Sequence, residues 1–147
     1  MHIEYHPILV HFPIALSVTA MLIDVGRWIF DRERLLTAGF WGGTTSLLLL
    51  ALLGALASVA TGLNAEPANT SEAVHELVEA HETLAFIATG LLAILSFWRV
   101  GLRGGFPRKA GFLYLALLLG LTVVLGYGSY FGGQMVFTHG VGVDVVN

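Results

Sequence analysis

His6-Pro7-Ile8-Leu9-Val10-His11-Phe12-Pro13 opens the first long apolar run of the chain. Two histidines and two prolines stand in eight residues, and apolar sequence follows at once. A helix on the surface of a water-soluble domain keeps a charged face opposite its apolar one. This one carries no charge until Asp24. The stretch reads as the outer mouth of a membrane bundle, with His11 aimed into it.

The rest of the chain supports that reading. Of its 147 residues 56% are hydrophobic and only 12% charged, where a globular domain averages about 25% charged. The mean hydropathy is +0.79. A bilayer core of about 30 Å takes ~20 apolar helical residues to cross. Four runs meet that length, at about 11–30, 38–63, 70–98 and 110–131. They are continuous rather than alternating, which excludes the strands of a membrane barrel. The first run lacks basic residues ahead of it and a small-x-small cleavage site after it, so it is not read as a signal peptide. The fold class is therefore all-α: an integral membrane four-helix bundle forming a single domain over 1–147. The absence of cysteine excludes disulfides, thiolate iron–sulfur ligation and covalent c-type haem. A net charge of −3 argues against a nucleic-acid partner.

Charge sets the orientation. All seven basic residues, Arg27, Arg32, Arg34, Arg99, Arg103, Arg108 and Lys109, fall in or beside the loops joining helices one to two and three to four. By the positive-inside rule those loops are cytoplasmic, and both termini lie outside. The expected location is the inner (cytoplasmic) membrane, multi-pass. The six histidines, His2, His6, His11, His75, His81 and His139, all gather at the opposite, outer end.

Helical spacing of about 100° per residue sorts these histidines. His11 shares a stripe with Ala15, Val18 and Leu22, while His6 points elsewhere. His81 shares a stripe with Val74, Leu77, Val78, Ala85, Ala88 and Leu92. His75 lies on an acidic stripe with Glu72, Glu79 and Glu82, and is expected to be solvated. Asp24 is an intramembrane carboxylate, a functional candidate in principle, but Arg27 three residues on makes a local pair the preferred reading. Gly54, Ser58 and Gly62 recur every four residues and suit close packing of helix backbones, within one bundle or in a homo-oligomer. The third helix is expected to start near 70 and to project from the membrane. The Gly-rich segment 132–147 is expected to fold back over the outer mouth and bring His139 there. No internal repeat is visible by eye, although helices one and three both carry histidines at their heads.

Helices one and three run in the same direction, which puts His11 and His81 at similar depth. Two imidazoles facing one another across a dry bundle can hold a b-type haem by both axial positions. That pair is the leading candidate, with His6 and His139 helping or serving a second site. The same cluster offers a rival: His11, His81 and His139 as ligands of copper or zinc with an open position. Glu72-x-x-His75 has di-iron spacing, but no second copy exists. Nothing in the chain activates a nucleophile or cradles a phosphate, so no catalytic residue is assigned.

The motif His6-Pro7-x-x-Val10-His11-Phe12-Pro13-Ile14-Ala15-Leu16 resembles that of small prokaryotic membrane proteins called domain of unknown function 2231. The resemblance extends to four helices, a histidine at the head of the third (His81), and the ending Gly132-Gly133-x-x-Val136-x-x-His139-Gly140-Val141-x-Val143. Relatives of this kind occur joined to Rieske-type or cytochrome domains. The resemblance therefore implies an electron-transfer setting, and the leading function is a membrane b-type cytochrome that sits in the lipid bilayer and passes electrons between quinone and an outer-side redox protein of Rieske or cytochrome type. The remaining class is a cofactor-free structural subunit of a membrane complex.

Overall fold

The computed structural model describes residues 5–30, 43–64 and 71–142. Their regular elements are α1 (His6–Leu9), α2 (His11–Phe30), α3 (Thr44–Gly62), α4 (Glu72–Gly101) and α5 (Gly111–His139). A single 3-10 turn, Arg108–Ala110, precedes α5. Counting α1 and α2 together, four spans are long and apolar enough to cross a membrane. No strand occurs among the described residues.

The break between α1 and α2 has a covalent cause. Helix formation starts at His6-Pro7, and Pro is favoured at a first turn because its missing N–H has no partner there anyway. Pro13 then denies the carbonyl of Leu9 its usual i→i−4 donor. Val10 keeps helical backbone angles and its N–H still bonds the His6 carbonyl at 3.1 Å, so α1 and α2 run on as one span that lacks the Pro13 bond.

The spans form a closed ring. α2 packs on α3, α3 on α4, α4 on α5 and α5 back on α2, so α2 and α4 face each other across the diagonal. The centre is filled by Ala20, Leu48, Leu92, Leu95, Leu118 and Leu121, all fully buried. Only 22–28% of each span's apolar window is buried inside the chain. The remainder turns outward, including Leu22, Phe97 and Phe112. This is expected where lipid is the solvent, because apolar side chains gain nothing by hiding from it. Glycines set the close approaches. A Cβ at Gly54 would lie 3.1 Å from the Pro13 ring, and one at Gly111 would lie inside the indole of Trp28. The Gly54-Ser58-Gly62 stripe therefore faces α1 and α2 within the bundle.

Two boundaries differ from expectation. α4 covers 72–101 rather than 70–98. The segment from 132 does not fold back: α5 runs unbroken through Gly132-Gly133 to His139. Each helical glycine costs about 1 kcal/mol. Here α5 continues through them, with Gly132 packed beside His81. It ends at Gly140, whose φ of 66° only glycine adopts freely. There the N–H of Val141 bonds the Met135 carbonyl at 3.0 Å. Residues 38–42 of the expected second helix and 143–147 of the tail lie outside the described residues.

Candidate functional site

The histidines do not assemble as the stripe argument expects. His11 is exposed, and its Nδ1 donates to the Pro7 carbonyl at 2.6 Å. It shares the lipid-facing side with Ala15 and Leu22, both exposed. The expected pairing of His11 with His81 is therefore corrected. In water an apolar stripe is the buried one, whereas in a bilayer the most apolar stripe faces the lipid. The buried stripe of α2 is Pro13, Ser17, Ala20, Asp24 and Arg27, and His6 lies above it.

The histidine that meets His81 is His6. Their ring centroids are 6.0 Å apart and their planes stand at 80°. Each ring is fixed from behind. His6 Nδ1 lies 2.9 Å from the carbonyl oxygen of Ser58 on α3. His81 Nδ1 lies 2.9 Å from the carbonyl oxygen of Gly128 on α5. A carbonyl only accepts, so both Nδ1 atoms carry the proton and both Nε2 atoms keep the lone pair in the neutral rings. Ligating histidines are commonly set this way, with the far nitrogen donating to a carbonyl or carboxylate. Both rings are half-buried.

The other candidates stay apart. His139 is exposed at the end of α5, two helical turns and about 10 Å of rise beyond Gly132, which packs beside His81. The three-histidine copper or zinc set of His11, His81 and His139 is thus not brought together. Among the described residues no three His, Cys, Asp or Glu side chains converge on one point. His75 is exposed and sits 3.6 Å from Glu79, solvated as its stripe indicates. A shallow groove beside it, lined by Glu76, Glu79, Ala80, Thr83, Leu84 and Phe131, contains no histidine. His2 lies outside the described residues.

At the opposite end of the bundle the chain buries a polar cluster. Asp24, Thr44, Arg99 and Tyr114 are fully buried, and each comes from a different span. Asp24 Oδ1 accepts from the Thr44 hydroxyl at 2.9 Å and from Arg27 Nη1 at 3.2 Å. Its Oδ2 accepts from the Tyr114 hydroxyl at 2.7 Å and lies 3.6 Å from Arg99 Nη1. Arg99 also donates to Thr44 and Thr45, and its guanidinium stands 5.7 Å from the Tyr114 ring centre. The local Asp24–Arg27 pair is present, yet it is one contact among several. Arg99, Thr44 and Tyr114 were not singled out from sequence. The available signal was that Asp24 continues the small and polar stripe of α2, the face that a membrane bundle turns inward.

Between the two ends lies the apolar layer of Leu48, Leu92, Leu95, Leu118 and Leu121. The histidine pair is therefore a separate site, held at one end of a bundle that the ionic cluster closes at the other. A family model described as predicted membrane protein (DUF2231) matches residues 2–145. No curated protein matches the chain, and no solved structure does.

Proposed function

The chain belongs to the DUF2231 family of predicted membrane proteins, and from there we propose that it is an electron-transfer subunit holding one b-type haem between His6 and His81. The observation that carries this reading is the facing pair of imidazoles, each with its Nδ1 tied to a backbone carbonyl of the neighbouring helix. His6 and His81, with ring centres 6.0 Å apart, would hold the group from two different spans.

The number of ligands argues for haem over a bare ion. Zinc and copper sites take three or four protein ligands, and no such group converges among the described residues. A b-type haem asks the protein for as few as two nitrogen ligands, which His6 and His81 would supply. A haem held here would supply a one-electron couple. The protein's part is to fix the tautomer and direction of both imidazoles and to surround the site with low-dielectric helices.

The orientation follows from the basic residues. Arg27, Arg99, Arg103, Arg108 and Lys109 lie at the end opposite the histidine pair, which favours that end in the cytoplasm of an inner-membrane protein. The histidine pair would then face the outer side, between the quinone pool in the bilayer and a redox protein of Rieske or cytochrome type outside.

The absorption spectrum of the purified protein tests the proposal. A Soret band that shifts on dithionite reduction, at one haem per chain, is expected. His6→Ala and His81→Ala should each lose the six-coordinate spectrum. A colourless protein from haem-replete cells overturns the reading in favour of a cofactor-free structural subunit.

A further inference from the structure

The two halves of the bundle place a histidine, its accepting carbonyl and a buried polar residue in the same register, although most paired side chains differ. His6 and Asp24 are 18 residues apart on the first span, as are His81 and Arg99 on the third. Thr44 and Ser58 are 14 apart on the second span, as are Tyr114 and Gly128 on the fourth. At one end His6 bonds the Ser58 carbonyl and His81 the Gly128 carbonyl. At the other, Asp24 faces Arg99 while Thr44 and Tyr114 both bond Asp24. The correspondence reaches the core, where Ala20 matches Leu95, Leu48 matches Leu118 and Ala51 matches Leu121, all fully buried.

A third element completes each histidine's surroundings. Four residues beyond the accepting carbonyl, one turn along the same helix, stands a glycine: Gly62 after Ser58, Gly132 after Gly128. A Cβ at Gly62 would lie 2.9 Å from His6 Cε1, and one at Gly132 would lie 3.5 Å from His81 Cε1. Each imidazole is therefore held by a carbonyl on one turn and lies against a bare backbone on the next. By contrast, a Cβ at Gly120 or Gly126 on the same fourth span would meet nothing within 4 Å.

We infer that the bundle is a tandem duplication of one two-helix unit, each unit supplying a histidine–carbonyl–glycine half-site, and that Gly62 and Gly132 are the positioning residues of a single shared site on the internal two-fold axis. This rests on the haem reading for the identity of the bound group, though not for the facing of the two half-sites. The ligand is accordingly one group per chain with two opposed coordination positions, contacted alike by both halves. The corresponding pair at the far end, Asp24 and Arg99, has diverged to opposite charges and serves as a lock instead of a second ligand pair.

The test uses full-length protein in detergent with two readouts. In the first, Gly62→Leu and Gly132→Leu should each convert a six-coordinate haem spectrum to a five-coordinate one, while Gly126→Leu leaves it unchanged. Gly62→Ala should have the larger effect of the two alanine variants, because its contact is the shorter. Unchanged spectra in both leucine variants, or equal loss in Gly126→Leu, overturn the positioning role. The second readout needs no haem. The chain has no cysteine of its own, so His6→Cys/His81→Cys should be bridged within one chain by a short bis-maleimide, and His11→Cys/His81→Cys should not. The reverse pattern overturns the shared site. Bridging in a protein that carries no haem upholds the paired half-sites and overturns only the haem.

Discussion

Replacing Asp24 with asparagine removes the carboxylate from the buried cluster and leaves the Arg27 and Arg99 guanidiniums facing a neutral amide. The Arg99–Asp24 separation of 3.6 Å corresponds to about 5 kcal/mol of attraction at an effective dielectric of 20, before the cost of burying both ions is subtracted. Removing one partner of a buried pair typically destabilises by about 3–5 kcal/mol, because the survivor stays buried. Asp24→Asn is expected in that range. Arg99→Gln is milder, about 1–3 kcal/mol, since Asp24 keeps Thr44, Tyr114 and Arg27 as donors. The double variant removes both charges, so its cost should fall short of the summed singles by about 1–3 kcal/mol, the coupling found between contacting residues. Reversible unfolding in mixed detergent and SDS measures this, with fluorescence as the signal. Trp98 is a built-in reporter, 5.9 Å from the Tyr114 ring. Additive single-variant costs would refute the claim that Asp24 and Arg99 form one cluster, and would restore the local Asp24–Arg27 pair as the whole account.

His11→Ala and His139→Ala should retain cofactor absorption that His6→Ala and His81→Ala lose; the spectra of four purified variants decide this. Gly111→Ala should destabilise by about 1–3 kcal/mol through overpacking, because its new methyl overlaps the Trp28 ring; the same SDS titration reads it. Tyr114→Phe leaves Asp24 Oδ2 without its 2.7 Å hydrogen bond and should cost about 1–3 kcal/mol, again by SDS titration. Single cysteines at Lys109 and His139 should label with a membrane-impermeant maleimide from opposite sides of intact cells, His139→Cys from outside; labelling of both from one side would overturn the four-span topology.

The spans were legible because bilayer thickness dictates length, and length is visible in any apolar run. The solvated position of His75 was equally readable, since its neighbours Glu72 and Glu79 mark a wet face. The inward face of the first span was not. In water the apolar stripe is the buried one, and that logic selected His11. In lipid the stripe to follow is the one rich in small and polar residues, Pro13, Ser17, Ala20 and Asp24, and it leads to His6. Arg99 illustrates a second limit. It sits at a span end, where arginines ordinarily reach for the interface, and only the packing of four helices turns it inward to full burial. The end of the last span was not legible because Gly132-Gly133 reads as a stop, and only the packing of Gly132 beside His81 accounts for glycine inside the helix.

The first span begins at His6-Pro7, and this sets the two histidines in unlike surroundings. His81 stands ten residues inside a continuous 30-residue helix and cannot leave its place unless that helix unwinds. His6 sits in the first turn of its span and is held across to α3 by the Ser58 carbonyl. One histidine is thus set by the middle of a helix and the other by a helix's first turn, where the backbone N–H groups have no partner within the helix.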